Sequence, residues 1–239
     1  MRRRTSLVSA VAAAALLAGC GLTDDAPKPG VAASVGEESV PLSRVDDVLQ
    51  AYCSLLASTD GAPAYAKATI RSQLAWNWAQ AVAVEKVADE YGATIPPDTI
   101  DPDEVRRMWG IDDEKGTDRY DSFAWLTWIS QRLNEPVLAI GSQAVIDRTG
   151  QPGDQDAAAE AGFAVLDDWL EENGAELNPA LGTYDPAKRT FSPDELSVAV
   201  SGAARQGDDL AALTPEQAAG LPDGQRCGAA VRPQAQPGA

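Results

Sequence analysis

Val31-Ala32-Ala33-Ser34-Val35-Gly36-Glu37-Glu38-Ser39-Val40 reads as two short β-prone pieces around a glycine-containing turn, a small hairpin. Leu42-Ser43-Arg44-Val45-Asp46 follows, with Ser43 placed to cap a helix and Asp46 near its positive end. Val45, Val48, Leu49, Tyr52, Leu55 and Leu56 then recur at helical spacing, which predicts a first helix over about residues 43–57.

Working outward from there, Gly61 and Pro63 punctuate the chain before a long helix expected from Ala64 to Tyr91, with Gly92 as its left-handed stop. Asp101-Pro102-Asp103-Glu104 opens a short helix through Trp109: a cap, a proline at the first position and acids in the first turn. A further helix is expected from Asp118 to Asp147, kinked or broken at Pro136 and Gly141, and another from Gln155 to Asn173, ended by Gly174. Ala175 to Asp185 reads as extended chain with a turn, and Phe191 to Val200 as a second extended arm. Beyond Gln206, alanine, glycine, proline and acids dominate, so residues 205–239 are expected to be loosely ordered apart from the neighbourhood of Cys227. The fold class is therefore mainly α, a multi-helix domain over residues 31–204 with a small β element.

Towards the N-terminus, Arg2-Arg3-Arg4 precedes an apolar run from Leu7 to Ala18, the pattern of an export signal. The run is shorter than the roughly 20 apolar residues a membrane span needs. Leu17-Ala18-Gly19-Cys20 matches the lipobox of bacterial lipoprotein precursors. Residues 1–19 are thus expected to be removed, Cys20 lipidated, and residues 20–30 to form a flexible tether on the extracytoplasmic face of the cell membrane. Losing the three leader arginines takes the net charge from −17 to −20. That surface repels phosphates, which argues against nucleic-acid binding. With Cys20 assigned to lipid, Cys53 and Cys227 remain as a pair in an oxidising compartment and are expected to form a disulfide. The chain has no histidine, which removes Ser-His-Asp and Cys-His nucleophile systems and nearly all zinc sites of the catalytic type.

The hairpin followed by a Leu-Ser-x-Val-Asp helix start, together with the late Leu177-Asn178-Pro179-Ala180-Leu181-Gly182-Thr183-Tyr184, resembles the N-terminal chaperone module of SurA-like periplasmic folding factors. In that family a Val-Asn-Pro-Arg-Tyr-Gly-Thr-Trp segment returns to the opening strand. The resemblance covers about residues 31–200 and implies a helical module that holds unfolded or exported polypeptides. No segment is similar to the family's parvulin isomerase domain, whose histidines this chain lacks.

No catalytic residue, metal site or cofactor is expected. The acids of 98–104 and 112–121 lack EF-hand spacing and read as helix caps and solvated loops. Ser43 has no lysine at the spacing a nucleophile would need. Six tryptophans are many for this length. Trp76, Trp109, Trp125 and Trp128 are candidates for lining a cleft for apolar clients, with helix packing as the alternative for each. The expected partners are unfolded or exported polypeptides, or else one dedicated cell-envelope protein.

Overall fold

The computed structural model describes residues 29–192 and 213–230. The expected leader, Cys20, the tether up to residue 28, the arm over 193–200 and the tail segments 206–212 and 231–239 lie outside the described residues. Strands β1 (Val31–Val35) and β2 (Glu38–Pro41) form the hairpin, turning through Gly36 at φ +58°. The helices are α1 (Leu42–Ser58), α2 (Lys67–Val87), α3 (Pro102–Trp109), α4 (Asp118–Leu133), α5 (Glu135–Thr149) and α6 (Gln155–Glu172). Mainly helical architecture with small antiparallel strand pairs is what the periodicity led one to expect.

The late segment returns to the opening strand. Residues Glu176–Leu177 form β4, which lies antiparallel to β1 with Ala33 opposite Leu177, giving the order β2-β1-β4. Asn178 secures the junction: its backbone N–H donates to Ala32 O at 2.8 Å and its side-chain amide to Val31 O at 2.7 Å. Beyond a 3₁₀ turn, Thr183–Asp185 and Thr190–Ser192 pair as a second hairpin.

Helix α2 is the centre of the core. Ala75, Ala79, Ala81 and Ala83 are fully buried, and these small side chains let α1, α4, α6 and β1 pack around it. A helix apolar on nearly every side is stable only when surrounded in this way. A smaller cluster of Val105, Ile111, Tyr120 and Phe123 seats α3 on α4.

Several local expectations are corrected. Helix α1 starts at Leu42, directly behind the strand, and Ser43 does not cap it; the Leu42 N–H is instead satisfied by Gly30 O at 2.8 Å. Asp46 lies past the first turn and binds Arg71 of α2. Helix α2 begins at Lys67, not Ala64, because Tyr65–Ala66 (β3) is held extended by pairing with Arg226–Cys227. The break between α4 and α5 falls at Asn134 (φ −95°, ψ −99°), just ahead of Pro136, and α5 runs without a break through Gly141. Gly141 is instead a point of contact: a Cβ there would stand 1.7 Å from Ala158 O, and one on Gly162 would stand 2.3 Å from Val137 O. The tail is also more regular than its composition suggests. Pro215–Ala219 forms a helix, α7, whose Thr214 and Gln217 make a reciprocal capping box. Arg226–Cys227 then adds a strand, β7, against β3.

Candidate functional site

A groove of about 310 Å³ opens between α2 and α4, with α1 and α3 at its sides. Ile70, Gln73, Leu74 and Asn77 come from α2, and Leu126, Ile129, Ser130 and Leu133 from α4, in both cases one stripe at helical spacing. Tyr52 of α1 and Trp109 of α3 wall it. Trp109 is positioned by its own helix: the Asp101 side chain accepts from Asp103 N at 2.9 Å, Pro102 starts the helix, and Gly110 ends it in the left-handed region at φ +62°. The indole N–H donates to Thr127 Oγ1 at 3.0 Å, and the ring lies against Phe123 and edge-on to Tyr52.

Among the described residues, no charged side chain lines this groove. The neighbouring hollow between α1 and α4 is lined by Arg44, Asp47, Asp118, Arg119 and Asp121, and the one beside Cys53 by Asp46, Lys67, Asp223 and Arg226. Burial raises the Tyr52 pKa, with Tyr65 adding to the effect, so its hydroxyl also stays neutral. On the rim, Asn134 Nδ2 donates to Ser130 Oγ at 3.1 Å. Gln73 is exposed and Asn77 half-buried, and among the described residues neither side-chain amide has a hydrogen-bond partner. The groove can therefore take an apolar, uncharged group and offer it two unused amides.

The four candidate tryptophans do not share this surface, and none is exposed. Only Trp109 reaches the groove. Trp125 carries the Arg44 guanidinium, 5.7 Å from its ring centroid. Trp128 carries Arg132 at 4.0 Å. Trp76 lies about 120° around α2 from the groove stripe and stacks on Tyr184 at 4.4 Å. Helix periodicity says which residues share a face, but not which guanidinium will cover a ring. The Trp128/Arg132 pair, four residues apart on one helix, was the available signal. Gln73 and Asn77 carried one as well, as amides four apart on an otherwise apolar stripe.

Two buried polar clusters hold α2 in place. Arg132 is fully buried; its guanidinium donates to Glu85 of α2 at 2.6 Å and to Asp98 at 2.5 Å. On another side, Asp167 of α6, 8% exposed, accepts from Gln80 Nε2 at 3.0 Å and from the Tyr184 hydroxyl at 3.3 Å. Burial raises the Asp167 pKa, with those two donors opposing. Burial, with the Asp167 charge beside it, pushes Tyr184 up to about 12. Among the described residues no acceptor lies in hydrogen-bonding geometry to the buried Trp76 N–H.

The structure brings Cys53 and Cys227 together, Cα atoms 4.6 Å apart with the sulfurs at bonding distance. Beside them Arg226 donates to Leu221 O and pairs with Asp223, while the Lys67 ammonium donates to Asp223 O at 3.1 Å. Among the described residues no cluster of three or more histidine, cysteine or acidic side chains could hold a metal ion, and no helix is long and apolar enough to cross a membrane. No family model, curated protein or solved structure matches the chain.

Proposed function

We propose that this chain is a membrane-tethered, extracytoplasmic lipoprotein that reversibly holds apolar segments of unfolded or exported polypeptides, without catalysis. The observation that carries this reading is a groove with no charged lining in a chain of net charge −17. An acidic exterior keeps the protein soluble, while the uncharged groove can bury an apolar segment. The lipid on Cys20 would raise the local concentration of holder and client at one membrane face. The pairing of β1 with β4 through Asn178 supports the SurA-like resemblance, because a late segment of this kind returns to the opening strand in that family.

The test is suppression of aggregation of a reduced, unfolding model protein by the chain from Gly21 onward, which contains every described element. Stoichiometric amounts should suppress aggregation, and Leu133→Glu, which puts a charge into the groove from a half-buried position, should abolish the effect while leaving the helical signal intact. No suppression by the parent chain, together with a single tight complex recovered from the envelope, would replace this reading with that of an accessory subunit for one partner.

A further inference from the structure

We infer that α2 reads the backbone of its ligand, through the Gln73 and Asn77 amides, and that the ligand is an extended, uncharged polypeptide segment. The inference rests on the reading of the groove as a polypeptide site. Gln73 and Asn77 stand four residues apart on one helix, about 6 Å along its axis. In an extended chain, residues i and i+2 present their N–H and C=O groups to the same edge, about 6.6 Å apart. One amide on α2 can therefore meet each alternate residue of a strand laid along the groove, and a side-chain amide both donates and accepts.

Other geometries fit less well. A helical ligand satisfies its own backbone and would leave both amides unused. A charged ligand finds no counter-ion in the lining. On the opposite rim the polar pair is bonded to itself, Asn134 Nδ2 donating to Ser130 Oγ, whereas neither amide of α2 has such a tie among the described residues. The rail that recognition uses is the one along α2. Ile70 to Asn77 spans about 10 Å of helix, enough for about three extended residues. Leu74, Leu126, Ile129 and Leu133 would take the side chains that point downward. A site of this kind is tolerant of sequence and sensitive to backbone chemistry.

The experiment uses a blocked octapeptide of alternating leucine and serine, dye-labelled, titrated with the chain from Gly21 onward and read by fluorescence anisotropy. Two derivatives carry backbone N-methyl groups, one on the leucine amides and one on the serine amides. Because alternate residues face opposite edges, one derivative should bind about tenfold more weakly for each lost bond, and the other should bind as the parent does. Gln73→Ala combined with Asn77→Ala should erase the difference between the derivatives. Equal affinity of the two derivatives on the parent protein overturns the backbone reading and leaves the groove a side-chain site. Failure of the unmethylated peptide to bind removes the polypeptide reading beneath it.

Discussion

Helices α5 and α6 approach until backbone meets backbone at Gly141 and Gly162, whereas α2 and α4 leave an uncharged groove between them and are joined through the buried guanidinium of Arg132. In the first pair, absent side chains set the spacing, and nothing can enter. In the second, large side chains set it, and space remains. The comparison locates rigidity and capacity in different parts of one molecule: α6 anchors α2 through Gln80 and Asp167, about 70° around the helix from the centre of the stripe that α2 presents to the groove.

The contrast can be broken most severely at the tight contact. Gly141→Ala places a methyl group on Ala158 O and should cost about 3 kcal/mol, read as a lower urea midpoint, with peptide affinity of the folded fraction unchanged. Next comes the spacer of the open pair. Glu85→Ala leaves the buried Arg132 with the exposed carboxylate of Asp98 as its remaining ion-pair partner, and should cost about 2 kcal/mol and, unlike the glycine variant, weaken peptide binding as well.

Two smaller effects sharpen the comparison at the α2–α6 anchor. Because burial raises the Asp167 pKa, the folded chain keeps a proton that the unfolded chain releases just above the ordinary value of 3.8. The stability this adds is full below 3.8 and is lost as pH rises through the folded pKa. Urea unfolding of Asp167→Asn across the acid-to-neutral range should lack that decline. Tyr184 has the same sign at higher pH: its pKa, raised from 10.0 to about 12, makes stability fall as pH climbs through that interval. Tyr184→Phe should flatten that part of an alkaline unfolding curve and change little near neutrality.

The long elements were legible because their information is local. Val45, Val48 and Leu49 declare the buried face of α1, Asp101-Pro102 declares the start of α3, and Gly174 sits at φ +64° just past the end of α6; α2, by contrast, ends at Val87, short of the expected Tyr91, and Gly92 turns the chain five residues further on. What escaped depends on distant partners. Tyr65 and Ala66 look like the start of a helix until residues 226–227 claim them as a strand, and Ser43 looks like a cap until Gly30 supplies the acceptor. A lone glycine within a helix, such as Gly141, signals a break or a close contact, and only the facing Ala158 decides which. At the site, Trp109 was legible as a candidate, while the groove itself was not, because it is the space left between four helices.

The meeting of Cys53 with Cys227 sets the order of events in the molecule's birth. The second thiol is made 174 residues after the first, a delay of roughly 10–30 s at ordinary rates of synthesis. The neighbouring β3 waits nearly as long for β7. A chain stopped before residue 226 lacks both the thiol and the strand that fasten this corner.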